Sequence, residues 1–350
     1  MSLYRNTVWF LKGLREYTKG GYESAAKYFV AEDLQVDVKE KSYMITGANS
    51  GIGKAAALAI AKRGGTVHLV CRNKDRAEEA QTEIITNSGN ERVFVHLLDM
   101  SDPKEIWAFA EKFKTQNRLN VLINNAGCMV NKRELTEDGI EKNFATNVLG
   151  TYILTRALLP VLENEEGARV VSIEAIYLSC VCVCFCFFKE DLLDFILVIL
   201  RSHFMLGRAS SICFQLQIFN SIPLVYITPT ISITNTATVG HCSCTCTFFN
   251  FIQGVPDWNF FYLAVRLSMP DFYEKMKTRL RTEEQGADTV VWLTISPAAV
   301  KHPSGLFFQD RKPVATHLPL AFTHSSTDDE EKFLQILQDM ALKFAPSSKL

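Results

Sequence analysis

The stretch Thr46-Gly47-Ala48-Asn49-Ser50-Gly51-Ile52-Gly53 decides the fold. Before it runs the β-prone Ser42-Tyr43-Met44-Ile45, and after it Lys54 to Arg63 is alanine-rich and helical in pattern. Gly47 suits the tight turn that leaves a strand. Gly51 and Gly53 let a helix N-terminus bring its amides against a pyrophosphate. A glycine-rich strand-to-helix turn has low specificity alone, so the elements around it must support the reading.

Outward from the turn, strands and helices alternate from Lys41 to Ser172. Val67 to Cys71, Val93 to Leu98, Leu119 to Asn124 and Arg169 to Ile173 read as further strands. Asn73 to Ser88 is a charged helix with Ala77, Ala80, Ile84 and Ile85 on one side. Asp102 and Pro103 open another as N-cap and first helical residue, Glu105 is placed to complete a capping box, and Ile106, Phe109, Ala110 and Phe113 line its inner face. A long helical stretch from about Glu137 to Leu162 follows, with Pro160 near its end. Strict alternation implies parallel βαβ units with right-handed crossovers, hence an α/β doubly wound parallel sheet with helices on both faces.

Composition then changes. The chain has 350 residues, is 47% hydrophobic and carries a formal net charge of −1, with no basic surplus to suggest a nucleic-acid partner. Between Glu174 and Ala264 only eight residues are charged, against 67 in the other 259, and eight of the ten cysteines fall between Cys180 and Cys246. No helix or strand period is sustained there. From Val265 the ordinary texture returns: a basic helix from Tyr273 to Arg281, an apolar helix from Ala287 to Ile295, a short strand at Gly305–Phe308 and an amphipathic helix from Glu330 to Phe344. Four parts result: a helical extension over residues 1–40, a nucleotide-binding half over 41–173, a Cys/Phe/Thr-rich insert over 174–264, and a return to the first domain over 265–350.

The N-terminal part mixes aromatics with bases, and Val8, Leu11 and Leu14 recur at helical spacing beside Lys12 and Arg15. Such a helix packs on the domain or lies at a membrane surface through residues 1–30. The run Thr7 to Leu11 is too short for a secretory signal. Ala175 to Leu200 is long enough to span a bilayer, but Lys189, Glu190, Asp191 and Asp194 lie inside it, each costing about 2.5–3.5 kcal/mol near the bilayer centre. A cytoplasmic or membrane-peripheral protein is expected.

Several residues extend the glycine turn into a site. At the end of the second strand, where an acidic residue would bind a ribose 2′-hydroxyl, the chain has Cys71-Arg72 with Lys74 nearby. An arginine there pairs with a 2′-phosphate and stacks on adenine, which favours NADP over NAD; otherwise Arg72 is a solvated strand-end charge. Asp99, after the third strand, is placed to accept from the adenine amino group. Asn125, Ala126 and Gly127 follow the fourth strand, where open α/β sheets bind ligands. Asn147 faces inward on the next helix, a position where an amide often ties a strand to a helix. With Gly47, Asn49, Ser50, Gly51, Ile52 and Gly53, these are the candidate site residues.

Thr46-Gly47-x-x-x-Gly51-Ile52-Gly53, Asn124-Asn125-Ala126-Gly127 and Asn147-Val148-Leu149-Gly150 occur in order within residues 41–173. In this the chain resembles the nucleotide-binding half of a short-chain dehydrogenase/reductase. The N-terminal segment, Gly127 to Gly139 and Phe308-Gln309-Asp310-Arg311-Lys312-Pro313 resemble one branch of that family; residues 174–264 do not. The resemblance implies a Rossmann-like domain, a nicotinamide dinucleotide as cofactor, and a small carbonyl or alcohol as substrate.

It also implies a catalytic Asn, Ser and Tyr-x-x-x-Lys. Asn147 matches the first. The family's Ser-Ser pair after the fifth strand is replaced by Glu174-Ala175, and Ser172 comes two residues early, within the strand. No Tyr-x-x-x-Lys lies between Ile176 and Ala264. Tyr273-Glu274-Lys275-Met276-Lys277 matches the pattern, but on a polar helix far beyond the expected position. The sixth strand and the catalytic helix are thus replaced by an irregular low-complexity insert, as in a variant transcript or gene model. The Cys-x-Cys spacings at Cys180 to Cys186 and Cys242 to Cys246 do not suit one tetrahedral metal, so no metal site is expected, and disulfides are not expected in a reducing compartment. Substrate and oligomeric state stay open.

Overall fold

A computed structural model of the chain describes residues 2–128, 130, 133–175, 247–253, 274, 276–315 and 326–346. Tyr273, the cysteine tracts at 180–186 and 242–246, and nearly all of the 175–200 stretch lie outside the described residues.

The elements run α1 (Ser2–Glu16), α2 (Lys19–Ala26), β1 (Ser42–Thr46), α3 (Gly51–Ala61), β2 (Thr66–Cys71), α4 (Lys74–Ser88), β3 (Val93–Leu97), α5 (Pro103–Gln116) and β4 (Val121–Asn124). Then come α6 (Lys142–Leu162), β5 (Arg169–Ala175), β6 (Thr247–Gln253), α7 (Glu283–Ile295), β7 (Phe307–Gln309), β8 (Lys312–Pro313) and α8 (Thr327–Leu342). Among the described residues the strands form one eight-stranded sheet in the order β3-β2-β1-β4-β5-β6-β7-β8. All pairings are parallel except the terminal β7–β8 hairpin. The chain order reverses between β1 and β4, so the C-terminal ends of those two strands flank the crevice where this topology takes ligands.

Both faces of the sheet are buried, and successive residues of one strand serve opposite cores. Tyr43 and Ile45 of β1 and Val121 and Ile123 of β4 join a core with Ile52, Ala56 and Ile60 of α3 and Val290, Val291 and Leu293 of α7. Met44 and Leu122 face the other way, into Trp107 and Phe113 of α5, Leu154 and Leu158 of α6, and Phe333 and Leu337 of α8. The doubly wound α/β sheet expected from the alternation is thereby present.

Two local expectations change. The helix expected from Glu137 begins at Lys142, because Leu135 and Glu141 form an antiparallel bridge around a turn in which Gly139 has φ +77°. Asp102 does cap α5, accepting from the amides of Lys104 and Glu105. Glu105, however, accepts from the Asp99 amide and does not return to Asp102, whose own amide is taken by the Asp99 carbonyl. The insert also holds a strand that its pattern did not mark. Thr247–Gln253 pairs in parallel with the whole of β5, from Arg169 opposite Thr247 to Ala175 opposite Gln253. The sixth strand position is therefore filled from within residues 174–264, and β7 pairs with it in turn. α6 is long and apolar enough to cross a membrane, but most of it is buried in the second core.

Candidate functional site

The glycine turn emerges from β1 at the crevice. Gly47 has φ +66°, and a Cβ there would lie 3.0 Å from the Ala126 Cα. At Gly53 a Cβ would meet the Asn125 Nδ2 at 2.5 Å and the Gly47 carbonyl oxygen at 2.8 Å. The space those side chains would take is occupied by Asn125, whose amide donates to the carbonyls of Thr46 at 2.8 Å and Gly47 at 3.2 Å. Thr46 completes the clasp: its Oγ1 accepts from the backbone amides of Asn125 and Ala126, both at 2.9 Å. The motif after β4 thus holds the turn after β1 by four hydrogen bonds. Ser50, the N-cap residue of α3, makes no side-chain cap bond, so it does not occupy the donors of the first turn. Helix N-terminal amides without a side-chain cap are the donors that a phosphate group uses.

The Cys71 sulfur lies under the same turn. Burial pushes its thiol up to about 11, while the amides of Ala48 and Asn49 that point at it pull the other way. Arg72, next in the chain, is exposed at the end of β2. Across the crevice, burial also raises the Cys128 thiol, against the pull of the Thr146 hydroxyl and the positive charge of Arg72.

Asn147 sits in a π-helical segment, Ala145–Gly150, within α6. Its Oδ1 accepts from the Cys128 amide at 2.7 Å, and its Nδ2 donates to the Cys128 carbonyl at 2.8 Å. Asn143, one turn earlier, repeats the grip on Val130, accepting from the amide at 2.7 Å and donating to the carbonyl at 3.1 Å. Two asparagines at i and i+4 thus act as side-chain strands against the backbone leaving β4. Asn143 was missed in the sequence, because its partner, Val130, is set only by how the chain beyond β4 lies against the helix. Thr46 was quoted there but given no role. Gly150 also has a packing reason, since a Cβ there would fall 2.0 Å from the Met100 carbonyl oxygen.

Among the sequence-selected residues, the structure brings together the 47–53 turn, Asn125 to Gly127 and Asn147. Asp99 is half-buried, and its Oδ1 is already committed to the amide and hydroxyl of Ser101, both at 2.8 Å. Ser172 lies within β5 as expected, its Oγ 3.5 Å from the Asn124 Nδ2. Lys277 is 45% exposed and paired with Glu274, and it sits in a turn that begins at 277, where the sequence pattern predicts a continuing helix. Among the described residues no group of three or more His, Cys, Asp or Glu side chains is placed to hold a metal ion, and Cys71 and Cys128 are free thiols.

A family model described as short chain dehydrogenase matches residues 41–178. Dehydrogenase/reductase SDR family member 12 from Bos taurus is 50% identical over 346 residues, which cover 98% of this chain and all of the relative. The Homo sapiens protein of the same name is 48% identical over 347 residues, with 98% and 100% covered. Retinol dehydrogenase 12 from Mus musculus is 44% identical over 142 residues, 40% of this chain and 45% of that one. Among solved structures, a short chain dehydrogenase from Shigella flexneri superposes with a TM-score of 0.50 at 17% identity, covering 84% of this chain and 99% of its own. L-Sorbose reductase from Gluconobacter frateurii, solved with NADPH and L-sorbose, gives 0.50 at 20% identity, covering 78% and 95%. These two share the fold; the near-complete alignments show the kinship, and the chain belongs to the short-chain dehydrogenase/reductase family.

Proposed function

We propose that this chain binds a nicotinamide dinucleotide at the Thr46–Gly53 turn, NADP in preference to NAD, and does not carry out the carbonyl–alcohol redox step of its lineage. The observation that carries the proposal is the clasp of Asn125 and Thr46 on a turn where a Cβ at Gly53 has no room. It presents an α3 N-terminus without a side-chain cap to the crevice between β1 and β4. Gly47, Asn49, Ser50, Gly51, Ile52 and Gly53 would hold the pyrophosphate through backbone amides, and Ala126 and Gly127 would line the approach to the nicotinamide. Arg72 would pair with the 2′-phosphate, which no carboxylate at that strand end opposes. Asp99, with one oxygen held by Ser101, has the other for the adenine amino group.

When bound, the cofactor supplies or accepts a hydride. The chain's own part in such a step would be a proton held and moved at the substrate oxygen, and no described residue is built for it. Asn147 remains to position the Cys128 backbone; Ser172 is inside a strand, and Lys277 is paired on the surface. The four-part division of the chain and the replaced stretch over 174–264 belong to this reading. The reading includes an origin for that stretch in a variant transcript, which sequencing of full-length messages across it would test. With it goes a peripheral membrane contact of residues 1–30.

Titration of the full chain with NADPH and NADH, followed by nicotinamide fluorescence, tests the proposal. NADPH should bind the tighter, and Arg72→Asp should weaken NADPH by about tenfold or more, the scale of a lost charged hydrogen bond. Equal affinity for both, unchanged in Arg72→Asp, would contradict the assignment of Arg72.

A further inference from the structure

The described residues include ten exposed large hydrophobics, and five of them, Tyr4, Leu11, Leu14, Tyr28 and Val30, lie in the first thirty residues. In α1 the exposure is patterned. Tyr4, Val8 and Leu11 recur at i, i+4 and i+7, with Leu14 beside them, so they share one face of the helix. On that face Tyr4 is 43%, Leu11 59% and Leu14 38% exposed, and Val8 is half-buried. Gly13, on the opposite face, is buried, and Tyr17, just after the helix, packs there. An amphipathic helix normally turns its apolar stripe inward; this one also keeps a stripe outside.

The arm is held to the domain from its inner side. Lys19 donates its amide to the Arg279 carbonyl at 2.8 Å. Arg281 donates to the Glu16 carbonyl at 2.7 Å, lies 5.3 Å from the Tyr22 ring, and is itself fixed by a bidentate pair with Asp310. Arg311 stacks 4.3 Å from the Phe29 ring while paired with Asp288. These contacts hold the C-terminal end of α1 and the chain after it to the domain, at Glu16, Lys19, Tyr22 and Phe29.

Charge says what that face meets. Residues 1–30 carry five bases, Arg5, Lys12, Arg15, Lys19 and Lys27, against two acids, Glu16 and Glu23, although the whole chain is −1. Arg15 is exposed at i+4 from Leu11, and Lys12 and, at the start of α2, Lys19 keep a third to a half of their side chains in solvent while pairing with Glu16 and Glu23. Aromatic and aliphatic side chains ringed by bases on a helix in the interface plane suit a lipid surface with negative headgroups.

We propose that the outer face of α1 docks on an anionic bilayer surface, with Tyr4 and Leu11 entering the headgroup boundary and Arg15, with Lys19 at the start of α2, meeting the lipid phosphates. The contact is independent of the nucleotide site, which lies on other elements of the fold.

Flotation of the full chain with vesicles of phosphatidylcholine alone, or of phosphatidylcholine mixed with phosphatidylserine, reads the contact. The chain should float with the anionic vesicles, at least about fivefold more than with the neutral ones, the scale of a single base near such a surface. Leu11→Asp and the double variant Arg15→Glu/Lys19→Glu should each lose this, while Ile336→Asp, on the distant α8, should not. Leu11 is exposed, so the variants should keep the parent melting temperature and NADPH titration; those two readouts separate a lost surface from a lost fold. Absent flotation, equal flotation with neutral vesicles, or flotation unchanged in both variants would overturn the proposal. So would a dimer in solution that Leu11→Asp dissociates, because a second copy would then cover the stripe.

Discussion

Asn125 shows how one side chain converts a flexible turn into a shaped one. Its amide fills the volume that the missing Cβ of Gly53 leaves, and binds two carbonyls there. Gly53→Ala should therefore cost about 1–3 kcal/mol in chemical denaturation and weaken NADPH binding, because neither Asn125 nor the Gly47 carbonyl can give way cheaply. Asn125→Ala should cost about 1–3 kcal/mol by leaving buried carbonyls unpaired. The glycines of this turn were readable in the sequence because steric exclusion dictates residue type. Asn143 was not, since an asparagine on a helix says nothing of its partner until the chain beyond β4 is laid against it. The Glu105 partner failed similarly: the capping-box spacing was right, but the Asp99 amide stood nearer. Residue chemistry also sets an acid limit. His68 Nδ1 and His96 Nε2 lie 2.9 Å apart among Phe94, Phe109 and Phe113. Burial first, then the neighbouring His96, pushes His68 down from 6.5 to about 4. The folded state thus binds fewer protons than the unfolded one. This contribution is fully present above pH ~6.5, is lost as pH falls toward ~4, and levels off below; it amounts to on the order of 3 kcal/mol. Urea midpoints measured across that window should fall with pH, and the fall should shrink in His68→Phe/His96→Phe.

At the scale of elements, α8 is the one whose docking is most open to test. Phe333, Leu337 and Ala341 bury against α5 and α6, and Trp107 Nε1 donates to the Ala341 carbonyl at 3.1 Å. Leu337→Ala should cost about 2–5 kcal/mol in thermal or urea unfolding. Ending the chain before Ser326 should uncover that apolar face and cause concentration-dependent self-association in size-exclusion chromatography. Most of the elements were readable because each carries its own signal. The 3.6-residue spacing of α4, α5 and α8 and the strand runs between them mark parallel βαβ units without help from tertiary structure. α6 was read too early because the charged residues 137–141 look helical, whereas Gly139 in a left-handed conformation turns the chain first. β6 was unreadable for another reason. Its low-complexity setting has no period, and its place is set by the edge of β5, whose backbone groups need a partner.

For the whole molecule, the strands before and after residues 176–246 build one sheet, with Thr247–Gln253 joining β5 to β7. The nucleotide end of that sheet is well made: the β1–β4 crevice, the clasped turn and the Asn147 grip all come from residues 41–173. We propose that the reacting end lacks the Ser-Ser pair and the Tyr-x-x-x-Lys that the family resemblance implies. Binding and turnover should therefore be separable in this chain. The most direct measurement is NADPH binding and NADPH oxidation on the same full-length preparation, with a panel of aldehydes and ketones. Saturable NADPH binding without substrate-dependent oxidation is the expected result. Turnover that survives Tyr273→Phe and is abolished by Asn147→Ala would contradict it.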